Sequence, residues 1–282
     1  MDEGLLEIRS VIQKDLSDKP FDLAIILGSG LGSLADQVED ATFWPYDAFT
    51  SFPPGSVAGH KGRLIIGTLF GWRVLIFQGR HHLYEGYNAR QVSINVRLAS
   101  MLGCRRLLLT NAVGGINKGY RPGDFMYIAD HINMMGDNPL RGMNQNPFID
   151  LSRLYQQSFF PALYELAKKE QIRLHRGILC AVQGPSYETP SEIMAFKTLG
   201  ADVISMSTVP EAIMAKYLSM EVVGLSFVSN VAAGLSLSPL QHEDVLNAGR
   251  CAESQFCSMV RHLIRLWQSS GNSAEHHPAL PD

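Results

Sequence analysis

The chain has 282 residues, 46% of them hydrophobic, and a formal net charge of −3 from 24 Lys and Arg against 27 Asp and Glu. That length and apolar content suffice for one large α/β domain or two small ones and exclude disorder as the whole story. Charges of both signs are spread along the chain, so there is no basic stripe for a nucleic acid or an anionic membrane, and the expected ligand is small.

The N-terminal stretch MDEGLLEIRSVIQKDL is acidic and amphipathic and predicts a helix over 4–15. It lacks the basic-then-apolar order of a signal peptide, and no apolar run approaches the roughly 20 residues of a membrane span. A strand over 22–27 (DLAIIL) leads into GSGLGS and then a helix. Glycines 28, 30 and 32 let the backbone turn sharply and aim its N–H groups at an anion, with Ser29 adding a hydroxyl and the next helix its dipole. A dinucleotide-binding loop looks similar, but Ser33 stands where GxGxxG requires glycine. Nor does an acidic residue close a second strand about 20 positions later; Asp47 sits in WPYDAF, which does not read as a strand end. A bare phosphate site is the better reading of the loop.

Strands over 63–69 and 72–78 are joined by Phe70-Gly71 as a hairpin, which makes the sheet mixed. Further strands are expected over 106–111, 124–129, 177–183, 202–207 and 221–229. Helices are expected over 89–102, 152–170, 190–199, 210–218 and 241–267, with Pro161 kinking or splitting the second of these. The alternation predicts an α/β fold: one domain over 1–268 with a mixed central β-sheet flanked by helices. Residues 269–282 (SSGNSAEHHPALPD) read as a disordered tail with solvated His276 and His277. Cys104, Cys180, Cys251 and Cys257 show neither CxxC pairing nor metal-ligand spacing and read as plain thiols.

Six predicted strands end in polar groups. LAIIL runs into GSG, RVLIFQ into GRHHLYEG, RLLLTN into AVGG, GILCAVQ into GPSYET, DVIS into MST and VVGLSFVS into Asn230. Ligands of open α/β sheets bind beyond the carboxyl ends of the strands, so the six endings suggest one composite pocket. Arg80 is a planar, permanent cation suited to phosphate, and Ser29, Ser207 and the backbone at Ala112 can complete an anion cage. Glu188 and Asn230 offer an acceptor and an amide to the edge of a heterocyclic base, and Tyr187 offers a ring face. Together these point to a nucleoside and inorganic phosphate. Within GRHHLYEGY, an extended backbone would turn Arg80, His82 and Tyr84 to one side and His81, Leu83 and Glu85 to the other. Glu85 then becomes a candidate to orient a histidine ring from behind, and His81 a packing or surface residue.

GSGLG, AGHKGRL, GRHHLYEGY, TNAVGGIN, GPSYETPSE, MSTVPE and SN with a downstream histidine resemble, in order and spacing, the trimeric purine nucleoside phosphorylases of the inosine and guanosine type. The resemblance runs from about residue 20 to 265. It implies a nucleoside phosphorylase-like fold and a cytoplasmic homotrimer acting in purine salvage. The implied reaction splits purine ribonucleosides and deoxyribonucleosides with phosphate, giving free base and the sugar 1-phosphate, with no metal or organic cofactor. Carried over by position, it assigns phosphate binding to Ser29, His60, Arg80, His82, Ala112 and Ser207. Glu188, Asn230 and Tyr187 would meet the base, and Tyr84, Met206 and His242 the sugar. Phe148 would cover the sugar of a neighbouring subunit. Asn230, Glu188 and His82 would carry the catalysis.

The chain departs from the resemblance at Ser205, where relatives usually have glycine, and at Tyr187, where mammalian enzymes have phenylalanine; the added hydroxyl could admit xanthosine. NVAAG after Ser229 looks bacterial. The nearest alternative of the same fold is a methylthioadenosine phosphorylase, against which Asn230 and His242 count. A dinucleotide-dependent oxidoreductase, a noncatalytic nucleoside-binding module and a nucleosidase are the other readings.

Overall fold

A computed structural model of the chain describes residues 3–14, 20–50, 52–53, 61–144, 146–235 and 242–274. Helix α1 (Glu3–Lys14) precedes strand β1 (Leu23–Leu27), edge strand β2 (Glu39–Pro45) and the pair β3 (Arg63–Leu69) and β4 (Trp72–Gln78). Then come α2 (Ala89–Val92), α3 (Ile94–Met101), β5 (Arg106–Gly115), β6 (Phe125–Asn133), α4 (Phe160–Lys169) and β7 (Leu174–Ala181). The remaining elements are α5 (Pro190–Thr198), β8 (Val203–Ser205), α6 (Val209–Tyr217), β9 (Glu221–Val231), α7 (His242–Cys251) and α8 (Glu253–Ala274). No helix among the described residues is long and apolar enough to cross a membrane.

The strands form one mixed sheet in the order β2-β3-β4-β1-β5-β8-β7-β6-β9, and β9 returns to pair in parallel with β5. Strands β5, β8, β7, β6 and β9 therefore close on one another, which removes their free edges. The other four strands extend outward from β5. Both faces are covered at β1, as the unbroken apolar run LAIIL requires. Ala24 and Ile26 pack toward the face covered by α1, α3 and α6, whereas Leu23, Ile25 and Leu27 pack toward α4 and α8. Each fully buried Ile or Leu contributes roughly 1.5–3 kcal/mol, so this strand is a firm base for the loop that follows it.

The hairpin between β3 and β4 forms as expected, with positive φ at both Phe70 (49°) and Gly71 (82°), the two-residue turn whose twist suits paired strands. Five expectations need correction. The edge strand β2 is not foreseen, because EDATFWP is exposed along nearly its whole length and shows no buried alternation. Asp47 thus does follow a strand, but an edge strand separated from β1 by β3 and β4. The helix expected over 152–170 begins only at Phe160, which places Pro161 in its first turn, where no helical hydrogen bond is lost. The helix expected over 241–267 divides into α7 and α8, and α8 continues to Ala274, six residues past 268; residues 275–282 lie outside the described residues. Finally, the glycine loop leads into a 3₁₀ segment over Gly32–Gln37 rather than an α-helix, so no helix dipole backs it.

Candidate active site

Residues following all six polar strand ends line one cavity: Ser29, Arg80, Ala112, Glu188, Ser207 and Asn230 are among them. β1, β4, β5 and β9 run parallel and leave the sheet at the same end. β7 and β8 run the other way, contrary to the simple carboxyl-end rule. They reach the cavity because β8 pairs only with the last residues of β5 (Gly114↔Ile204, Gly115↔Val203) and β7 lies alongside β8. The glycine loop meets the cavity through Gly28 and Ser29. A side chain at position 28 is excluded, since its Cβ would stand 2.7 Å from the Cα of Asn111.

Arg80 is 3% exposed and held from several directions. Nη2 donates to the carbonyls of Ile26 (3.2 Å) and Thr110 (2.6 Å), and Nη1 donates to the hydroxyls of Ser207 and Thr208, each at 3.1 Å. Nε lies 3.4 Å from Oε1 of Glu211, whose side chain is 2% exposed. Burial raises the Glu211 carboxyl above its usual pKa, and the Arg80 charge pulls it back down. Glu211 is the main residue missed by sequence reading. In TVPE it reads as an ordinary acid in the first turn of a helix, and only the fold sets it against Arg80.

The hydroxyls around Arg80 depend on a strained turn. Thr208 has φ 77° and ψ −46°, and Val209 N–H donates to the Ser207 carbonyl at 2.9 Å, which together define a γ-turn. A β-branched residue with positive φ costs on the order of 1–3 kcal/mol, and such strain concentrates at functional sites. Here it carries Ser207 and Thr208 together onto Nη1 of Arg80. Asn111, also missed, and Ser205, marked in the sequence only as a departure from the family, complete the cluster: Asn111 Nδ2 donates to Ser205 Oγ at 3.0 Å.

His82 and Tyr84 line the cavity and stack on each other, with ring centroids 4.6 Å apart. The backbone is not extended through this stretch, because Leu83–Glu85 form a 3₁₀ turn. Arg80, His82 and Tyr84 nevertheless face the cavity together. Glu85 does sit behind the histidine: its Oε2 accepts from the His82 backbone N–H at 2.7 Å and lies 3.2 Å from Nδ1. A carboxylate can only accept, so this contact favours the ring proton on Nδ1, which leaves Nε2 as an acceptor. Burial lowers the His82 pKa, with the Glu85 bond opposing, so the ring is neutral near pH 7. His81 is a packing residue: it is buried, its Nε2 donates to the Pro53 carbonyl at 2.7 Å, and its ring meets Tyr87 edge-on.

On the opposite side, Tyr187 is 40% exposed and Glu188 is half-buried. Burial raises the Glu188 carboxyl above its usual pKa. The TPSE sequence directly after Glu188 forms a capping box: Thr189 N–H donates to Glu192 Oε2 at 2.7 Å, and Glu192 N–H donates to Thr189 Oγ1 at 3.2 Å, fixing where α5 begins. The Asn230 amide is oriented by its neighbours. Ser229 O–H donates to its Oδ1 at 2.6 Å, and one hydrogen of Nδ2 goes to the Val231 carbonyl at 2.9 Å.

Met206 also lines the cavity. His242 opens α7, on the element that follows β9. His60 lies outside the described residues. Phe148 does not reach its own chain's cavity and is 88% exposed. Among the described residues no group of three or more His, Cys, Asp or Glu is placed to hold a metal ion.

The family model described as "Phosphorylase superfamily" matches residues 22–265. Purine nucleoside phosphorylase 1 of Bacillus subtilis (strain 168) is 40% identical over 272 residues, spanning 95% of this chain and 100% of that protein. The chain belongs to the purine nucleoside phosphorylases of this superfamily. Within that family, solved structures share the fold closely. A crystal structure of Schistosoma mansoni purine nucleoside phosphorylase in complex with adenosine has a TM-score of 0.85 and 35% identity, covering 93% of this chain and 96% of that one. The schistosoma enzyme in complex with hypoxanthine matches with the same TM-score and coverage.

Proposed function

We propose that the protein cleaves purine nucleosides with inorganic phosphate, mainly 6-oxopurine ribonucleosides and deoxyribonucleosides such as inosine and guanosine. The carrying observation is that one cavity unites the Arg80 and Ser207 donors with the Glu188 and Asn230 pair. A phosphate oxygen bonds to C1′ as the glycosidic bond breaks, and the electron pair of that bond leaves with the purine, which takes up the proton that the phosphate gives up. The products are free base and (deoxy)ribose 1-phosphate. Positive charge builds on the sugar and negative charge on the purine, so fixed groups aimed at both lower the barrier.

Ser29, His82, the Ala112 amide and Ser207 hold the phosphate, with His60 joining them, while Arg80, whose Nη hydrogens go to protein oxygens, fixes Ser207 and supplies the positive charge. A neutral His82 with Nε2 as acceptor suits a phosphate that still carries a hydrogen. Tyr84, Met206 and His242 meet the sugar, and Tyr187 and Glu188 the base. Asn230 keeps its second Nδ2 hydrogen for the 6-oxygen of the base. The free Nδ2 hydrogen is a donor suited to a 6-oxo group, whereas Oδ1, which already accepts from Ser229, has one lone pair left for a 6-amino group. Among purine nucleosides, inosine and guanosine should therefore exceed adenosine in kcat/KM by at least about 10-fold, the worth of one misplaced hydrogen bond to a buried group. Comparable efficiency with adenosine contradicts the assigned role of Asn230. No cofactor is needed for this reaction. Phe148, bare on its own chain, supports a homotrimer in which it covers a neighbour's sugar; sedimentation of the full chain as a monomer contradicts that assembly.

A further inference from the structure

Ser205 closes β8, is 6% exposed and lines the cavity, yet neither the base nor the sugar reading uses it. Its Oγ accepts from Asn111 Nδ2 at 3.0 Å and from the Ser207 N–H at 3.3 Å, and stands 3.3 Å from Ser207 Oγ. A hydroxyl has two lone pairs and one hydrogen. Both lone pairs of Ser205 are taken by these donors, so its hydrogen goes to Ser207 Oγ. Ser207 Oγ also accepts from Arg80 Nη1 at 3.1 Å, which fills its own two lone pairs. What remains to Ser207 is its hydrogen. The neighbouring Thr208 Oγ1, 3.2 Å away, accepts from Arg80 Nη1 and keeps one lone pair, so the Ser207 hydrogen has two acceptors to choose between, of which an anion in the cavity is the stronger.

We propose that Ser205 is a positioning residue for the anion subsite: the donor order from Asn111 through Ser205 fixes the Ser207 hydroxyl as a donor into the cavity. The proposal rests on reading Ser207 as part of the phosphate site. It makes Ser205 act on phosphate and not on the purine, and only through Ser207.

The test is a double-mutant cycle of Ser205→Ala and Ser207→Ala in the full chain, with KM for phosphate and for inosine, together with calorimetric titration of inorganic phosphate alone. Ser205→Ala should raise the phosphate KM and dissociation constant about 3- to 10-fold, the worth of one oriented hydrogen bond, and leave the inosine KM within about 2-fold. In the Ser207→Ala background the same change should have no further effect. Ser205→Cys, similar in size but a weak donor, should match Ser205→Ala and serves where the alanine variant does not fold. An unchanged phosphate KM, an equal rise in both KM values, or a full-sized effect without Ser207 overturns the proposal. If the unaltered chain binds no inorganic phosphate, the phosphate reading falls and this proposal with it; if it binds and the Ser205 variants bind equally well, this proposal alone falls.

Discussion

Arg80 and Tyr187 face the same cavity, yet Arg80 is 3% exposed and braced by carbonyls of two separate strands, whereas Tyr187 is 40% exposed on the segment between β7 and α5. The anion side grows out of β1, β4, β5 and β8 and shares its hydrogen bonds with the core. The base side is carried by a connecting segment and by the last residues of β9. One side is therefore fixed by folding itself, and the other is open to adjustment in sequence and position. A charge-dense anion is held best by donors that need no reorganisation, while a planar base tolerates looser walls.

The sharpest way to break this contrast is to remove one carboxylate from each side. Glu211→Ala strands the buried guanidinium of Arg80 and should lower the unfolding free energy by about 3–5 kcal/mol in denaturant titration. Glu188→Ala, on the half-buried base side, should change it by less than about 1 kcal/mol while reducing activity. Equal losses of stability would show that the two sides are braced alike.

Next in size is Asn230→Ala, expected to lower kcat by about 100- to 1000-fold with little change in fold, since it withdraws one donor from the developing purine charge. A loss under about 3-fold would remove Asn230 from the mechanism.

A smaller effect follows from pH. Burial lowers the pKa of both His81 and His82, with Glu85 opposing in each case. Unfolded histidine titrates near pH 6.5, so below that pH the unfolded chain takes up protons that the folded chain resists. The stability these residues give is present above about pH 6.5 and is lost as pH falls. Glu188 and Glu211, with raised carboxyls, act in the opposite sense, their contribution being lost as pH rises. Thermal melting should show Tm falling from pH 8 to pH 6, with a smaller fall in His81→Phe, which lies outside the cavity. A Tm that is flat or rises over this interval would contradict the burial of the two rings.

The strands beneath the anion side are legible in the sequence, but the partners that brace it are not. Apolar runs such as LAIIL and RVLIFQ announce their strands, and the polar residues after them fall in the cavity as the pattern suggests. The edge strand β2 was not legible because it buries little, and the 3₁₀ turn at Leu83–Glu85 was hidden because a short polar stretch has no periodicity to read. The roles of Glu211, Asn111 and Ser205 escaped because they depend on partners far along the chain: Glu211 meets Arg80, and Asn111 meets Ser205. The γ-turn at Thr208 has no sequence signal at all, since a threonine ordinarily avoids that backbone region.

The central claim is that the rigid side of the cavity exists to hold phosphate as a reactant. It is tested most directly by incubating the full chain with inosine, with and without inorganic phosphate, and measuring hypoxanthine and ribose 1-phosphate together. The account predicts that both appear in equal amounts and only when phosphate is present. Hypoxanthine released at the same rate without phosphate, with free ribose in place of the phosphate ester, would contradict it.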